Sequence, residues 1–235
     1  MAWLRRHGFG QWNTPAPPIL PLWFAGFIVL VAVLVVLGDP RTTPAAAALQ
    51  RWDDAWGLRL GVQPGPLQLL AQSVTMAFTA LPVVLSMGIV GAYALWSRRS
   101  HLARFVGALA LGGAAQVAAT ELMKNVAGRQ RPDTLFLADG SWADSWTILG
   151  RGDSFPSGHA AFGVVLALVG AAYWPSGRWG WYALAALIAL SRCILVRHNV
   201  SDVVAAAGVG WCIGAWVVLA RPPFPDHGPA SPREV

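Results

Sequence analysis

The chain has 235 residues, 55% of them apolar and only 12% charged, with a mean hydropathy of +0.50. Soluble domains carry about twice that share of charge, so the composition argues against an ordinary globular enzyme; it also excludes a disordered chain and, with two cysteines, a disulfide scaffold. The 17 basic and 11 acidic residues leave a formal charge of +6, which a nucleic-acid binder would also show, but the apolar content points to a membrane protein.

A membrane span needs roughly 20 apolar residues. The first candidate, residues 19–38, contains no charge before Asp39. Read as a cleaved signal peptide, it would follow Arg5 and Arg6, but its apolar run is longer than the usual core of such a peptide. It is therefore expected to be retained. Next, residues 46–60 place Leu49, Trp52 and Trp56 at helical spacing. This predicts a helix in the membrane interface with its Trp rings at headgroup depth, a solvated loop being the plainer alternative. Further spans are expected at 69–96, interrupted by Pro82, and at 105–123, 160–174, 181–196 and 203–220.

These elements predict an all-α, polytopic membrane protein: six transmembrane helices, with an interfacial helix between the first two. One six-span unit, 19–220, lies between an N-terminal tail, 1–18, and a C-terminal tail, 221–235. The paired glycines Gly112 and Gly113, and Gly208, Gly210 and Gly214, predict close helix packing. Cys193 and Cys212 fall at different depths and are expected to be buried apolar residues rather than a disulfide.

With the N-terminus inside, the cytoplasmic segments hold eight bases against two acids, and the outer segments nine against nine. The whole surplus then falls inside. Counted as Lys and Arg alone, the faces are nearly equal, so the orientation rests on Arg5, Arg6 and the short Arg98–Arg99 turn. Both termini are expected to be cytoplasmic.

Ionisable groups at span ends are costly and default to functional candidates. Three outer-face clusters contain them: Lys124 to Pro132 (KNVAGRQRP), Phe155 to His159 (FPSGH), and Ser191 to Asp202 (SRCILVRHNVSD). Lys124, Arg131 and Arg192 supply fixed cations, and an Arg fork can grip phosphate oxygens in bidentate fashion. Ser157 and Gly158 open a helix whose first N–H groups would face an anion. His159, His198 and Asp202 supply a nucleophile, an acid and an orienting carboxylate, the equipment of phosphoryl transfer.

The ordered pattern K-x6-R-P, P-S-G-H and S-R-x5-H-x3-D resembles the type-2 phosphatidic acid phosphatase superfamily, which includes membrane lipid phosphate phosphatases and vanadium haloperoxidases. The motifs cover about 26 residues, and all three blocks match at their defining positions. The resemblance implies a phosphohistidine formed on His198, with Asp202 holding its other ring nitrogen. It implies His159 as the acid, then the base for water, and Lys124, Arg131, Arg192, Ser157 and Gly158 as the phosphate cradle. Ser191 and Glu121 are possible supporting residues, Glu121 either pairing with Lys124 or standing unrelated at the interface. No metal and no cofactor is expected, because the chain's own cations do the neutralising.

The implied substrate is a lipid phosphomonoester or pyrophosphate: undecaprenyl pyrophosphate, phosphatidylglycerophosphate, phosphatidic acid or a lipid A phosphate. Partners are that substrate and the surrounding membrane lipids, with no nucleic acid. The Ala-, Arg- and Trp-rich composition suggests a GC-rich bacterial source, hence the cytoplasmic (inner) membrane with the site on its outer face. Two alternatives stay open: lipid-to-lipid phosphotransfer on the same site, and a non-catalytic lipid-phosphate binding or transport protein. Arg129 and Arg197, beside the motifs, read as headgroup contacts or solvated residues. The 126–156 stretch, with Phe136, Trp142 and Trp146, reads as a lid or a plain interfacial loop.

Overall fold

The computed structural model describes residues 44–61, 65–133 and 152–223. The expected first span at 19–38, both tails and the aromatic middle of the 126–156 stretch lie outside the described residues. Among those described, seven α-helices and no β-strand occur: α1 (Pro44–Leu60), α2 (Pro66–Ala77), α3 (Ala80–Trp96), α4 (Ser100–Ala127), α5 (Gly158–Tyr173), α6 (Arg178–Ile194) and α7 (Val200–Ala220), with a 3-10 turn at Pro175–Gly177.

The short, small-residue helix α5 lies at the centre, enclosed by α4, α6 and α7. Its sequence is apolar on every side, as a helix surrounded by others must be, and Val165 and Val169 are fully buried. Val209, Ile213 and Val217 of α7 and Phe105 and Leu109 of α4 complete the core. Close approach depends on missing side chains: a Cβ on Gly210 would collide with the Ala161 carbonyl of α5, and one on Gly112 would stand 2.7 Å from Val165. Helices in lipid have little hydrophobic drive to associate, so such backbone-to-backbone packing carries more of the load.

Among the described residues, two helices, α4 with 28 residues and α7 with 21, are long and apolar enough to cross a membrane. The α2–α3 pair passes the same test together but is bent by 54°. The bend corrects the expected course of 69–96: the break falls at Phe78 and Thr79, not at Pro82. Pro82 sits in the first turn of α3, where the N–H it lacks has no helical acceptor to lose. Beyond it, Leu81, Val84, Leu85, Ile89 and Leu95 of α3 all face outward. So large an exposed apolar strip suits lipid rather than water.

α1 covers the 46–60 region and forms a helix rather than a loop. Trp52 and Trp56 stand edge to face, 6.2 Å between ring centroids, on its exposed side. The opposite side carries Gln50 and Asp53, both buried. The cysteines are unpaired, Cys193 buried and Cys212 partly so. At the other end of α5 from His159, Phe105, Tyr173 and Trp174 form an edge-to-face cluster joined by His101, with Phe105 and Trp174 centroids 4.7 Å apart.

Candidate active site

His198 lies in the link between α6 and α7, one residue before the N-cap Asn199. Two residues earlier, Val196 adopts φ 54°, a left-handed conformation that disfavours a β-branched side chain. The Asp133 N–H donates to the Val196 carbonyl at 3.2 Å and so helps hold the turn. Strain retained in this way is characteristic of sites where geometry serves function.

The His198 ring is buried, with Nδ1 2.7 Å from the Ser154 main-chain carbonyl. A carbonyl only accepts, so Nδ1 must carry the proton and Nε2 keeps its lone pair. Burial first, and then the Arg192 and Arg131 charges, push the ring's pKa well below 6.5. His198 is therefore a neutral imidazole in one defined tautomer.

Asp202 does not hold that ring directly. Its nearest oxygen stands 3.8 Å from Nδ1, outside hydrogen-bond range. The four-residue spacing would align the two side chains only if the turn were helical, and Asn199 is extended at φ −70°, ψ 159°. As the third residue of α7, Asp202 instead folds back to close a capping box, accepting the Asn199 N–H at 2.9 Å. The same oxygen accepts the Ser154 hydroxyl at 2.7 Å. Asp202 thus reaches His198 through Ser154, whose hydroxyl it binds and whose carbonyl the ring binds.

The cation nearest this arrangement is one the sequence left unassigned. Arg129 is fully buried, neither solvated nor at a headgroup. One terminal nitrogen donates to Asp202 at 2.6 Å and to the Ser201 hydroxyl at 2.7 Å. The other donates to Asp53 at 2.8 Å and to Gln50 at 3.2 Å, both on α1. Asp53 also accepts the Ser201 N–H at 3.0 Å and the Ser201 hydroxyl. Position along the sequence gave no signal for this: Gln50 and Asp53 are 79 and 76 residues from Arg129, and the acidic pair of α1 reads as a polar helix face. Gly152 has a steric reason, since any Cβ there would collide with the backbone of Gly128 and Arg129. The Ser154 N–H donates to the Arg129 carbonyl at 2.9 Å across the same approach.

The remaining motif residues gather around the two histidines. The charges of Arg192, Arg131 and Lys124 act on His159, and those of Arg192, Arg131 and His159 on His198. Arg131 forks onto Asp153 at 2.8 and 2.6 Å, and Lys124 pairs with Glu121 at 2.6 Å. Asp153 and Glu121 are largely exposed, so both pairs are weak enough to yield to a phosphate. Arg192 is buried and donates to the Thr75 hydroxyl at 3.2 Å, which also bonds Ser191 at 3.1 Å. Thr75, on α2, is a second residue that sequence reading missed. Arg197 pairs with Asp133 at 2.7 Å and is half exposed.

Among the described residues, the buried side-chain atoms around the start of α5 that have no hydrogen-bond partner include Ser157 Oγ, His159 Nε2 and Arg192 Nε, and Asp133 Oδ1, an acceptor, is a fourth in this region. Ser157 caps α5 without using its hydroxyl, and Gly158 and His159 open the helix. Unsatisfied buried polar atoms are rare and call for an explanation; donors around a helix N-terminus fit an anion. Gly158 itself is fixed by Gln116, whose amide donates to its carbonyl at 3.2 Å. Among the described residues, no group of three or more His, Cys, Asp and Glu side chains is placed to hold a metal ion.

Residues 102–225 match the family model of the PAP2 superfamily, a span that includes all three motif blocks. The chain belongs to that superfamily. Its fold is similar to the transmembrane PAP2 type phosphatidylglycerolphosphate phosphatase from Bacillus subtilis, with a TM-score of 0.56 at 19% identity over 85% of this chain and 94% of that one. It is also similar to LpxE of Aquifex aeolicus, with a TM-score of 0.50 at 17% identity over 70% of this chain and 93% of the other. No curated protein matches the chain.

Proposed function

We propose that the protein is an integral membrane lipid phosphatase that hydrolyses a lipid phosphomonoester or pyrophosphate through a phosphohistidine. The observation that carries this reading is the Ser154 carbonyl on His198 Nδ1 at 2.7 Å. It leaves Nε2 as a buried, unprotonated nucleophile beside two cations of the family motif, Arg192 and Arg131. Nε2 attacks phosphorus, the bond from phosphorus to the lipid oxygen breaks, and His159 in its protonated form gives its proton to the leaving oxygen. His159, now neutral, takes a proton from water, which attacks the phosphohistidine, releases phosphate and restores His198. Lys124, Arg131 and Arg192, with the Ser157 hydroxyl and the Gly158 N–H, neutralise the oxygens as charge moves. No metal takes part in this scheme.

In the proposed topology, the 19–38 segment, the α2–α3 pair and α4 to α7 make six spans within one unit, 19–220. Both termini are cytoplasmic, and the site opens to the outer face of a bacterial cytoplasmic membrane. The Arg98–Arg99 turn and the amphipathic α1, with Trp52 and Trp56 at headgroup depth, support that placement. Phosphatidylglycerophosphate is one of these substrate classes, and a protein of similar fold is a phosphatidylglycerolphosphate phosphatase.

Purified full-length protein in detergent should release phosphate from at least one of phosphatidylglycerophosphate, phosphatidic acid, undecaprenyl pyrophosphate and lipid A, with EDTA present. No release from any of them would end this reading. Transfer of phosphate to an added lipid alcohol without free phosphate would favour the phosphotransferase.

The pH dependence follows from the neutral ring. A lowered pKa keeps His198 unprotonated until the pH falls past that pKa. The acid limb of kcat/KM, which reports the free enzyme, is therefore expected below pH 6.5, the ordinary histidine value. A limb set above about pH 7 would contradict a neutral nucleophile.

A further inference from the structure

Phosphorylation at Nε2, with the proton kept on Nδ1, turns the neutral His198 ring into a cation. Asp202 is the acid closest to that charge, but its other oxygen is bound to Arg129 at 2.6 Å. A carboxylate paired this tightly with a guanidinium presents almost no net charge to a third group. Arg129 binds a second carboxylate as closely, Asp53 of α1 at 2.8 Å, and all three side chains are fully buried. Counted formally, Arg129 with Asp53 and Asp202 makes one cation and two anions, reaching the ring through Asp202 at 3.8 Å, and Asp54, which accepts the Gln50 amide at 2.8 Å, adds a further acid at the far edge.

We propose that Asp53 is a positioning residue of the reaction: by sharing Arg129 with Asp202, it restores the negative charge that stabilises the cationic phosphohistidine on His198. The inference rests on the phosphohistidine reading above. It assigns α1, outside all three motifs, a part in the chemistry. The groups that face His198 oppose this charge from the other side: Arg192 on α6, Arg131 after α4 and His159 on α5 are all cationic or able to become so. Without Asp53, the ring's new positive charge would be faced from this side only by the Asp202–Arg129 pair, the phosphoryl oxygens being shared with the cradle cations. The Ser201 N–H and hydroxyl both donate to Asp53 from α7 and hold the carboxylate in register against Arg129.

The test uses the full-length protein in detergent with whichever lipid phosphate the wild type hydrolyses. Asp53→Asn keeps the shape and removes the charge. The expected result is a kcat lower by about 10- to 100-fold, with KM changed less than about twofold because the cradle cations are untouched. The acid limb of kcat/KM should also move to lower pH, by about half a unit or more, since protonating His198 becomes harder without that charge. Asp53→Glu, which keeps the charge, should restore the limb. A double variant, Asp53→Asn with Arg129→Gln, returns the cluster to minus one through Asp202 alone and should recover the limb and part of kcat.

If Asp53→Asn does not accumulate as folded protein, the double variant decides: a wild-type limb supports the proposal, and a limb shifted downward overturns it. An Asp53→Asn enzyme whose activity falls only with its folded fraction, limb unmoved, also overturns it. In that case the wild type is still an active phosphatase, and only this inference fails. If the wild type releases no phosphate from any lipid tested, the functional reading fails and this inference with it.

Discussion

Replacing His198 with Ala is expected to lower phosphate release by at least about a thousandfold, the scale seen when a covalent nucleophile is removed. The ring's surroundings leave no substitute. Cys193 is buried, and among the described residues around the ring only His159 offers a second imidazole. The variant loses one hydrogen bond, to the Ser154 carbonyl, and a buried aromatic ring, so it must be shown to elute as wild type on size exclusion in detergent. A second measurement separates nucleophile from base: wild type quenched in alkali during turnover of labelled substrate should retain phosphate on the protein, and His198→Ala should not. Residual turnover within tenfold of wild type, in a properly folded variant, would remove the phosphohistidine from the mechanism. His159→Ala is the informative contrast, because it keeps the attacking nitrogen and loses the proton transfers that serve it.

Arg129→Gln is expected to destabilise the fold by about 3–5 kcal/mol, the cost of breaking a buried ion pair from one side. The side chain has no exposure to water, and neither have its partners Asp53 and Asp202. Without the guanidinium, two carboxylates in one dry cluster cannot both remain ionised, and one must take a proton. Lys in the same place would recover only part of the loss. Its single ammonium cannot present separate nitrogens to Asp202 and Ser201 on α7 and to Asp53 and Gln50 on α1. Thermal unfolding in detergent, followed by loss of the monodisperse peak, reads the effect. Arg197→Gln is the comparator. Its pair with Asp133 is half exposed, so screening by solvent limits the change to about 1 kcal/mol or less. Equal shifts for the two variants would show that the buried cluster does not hold α1 to the bundle.

Much of the fold was legible because apolar length is a local property. The segments at 105–123, 160–174, 181–196 and 203–220 correspond to α4, α5, α6 and α7, with ends displaced by only a few residues. The break in 69–96 was misplaced, because proline in the first turn of a helix reads in sequence like proline within it. The glycines of α7 were legible as packing residues, and Gly210 and Gly214 do sit against α5.

Sequence by itself determined the superfamily, because its three ordered motif blocks are local patterns that all fall within the matched residues 102–225. Tertiary structure alone decided how those residues are wired. It gave His198 a carbonyl partner in place of Asp202, because a capping box turns the carboxylate back on its own helix end. It buried Arg129, which stands two residues from the motif arginine and looks no different from it in one dimension. It also drew Asp53, Gln50 and Thr75 to the site from helices that carry no motif. A buried charge must be matched by whatever polar group the packing brings within about 3 Å, and that partner is set by helix packing, not by distance along the chain.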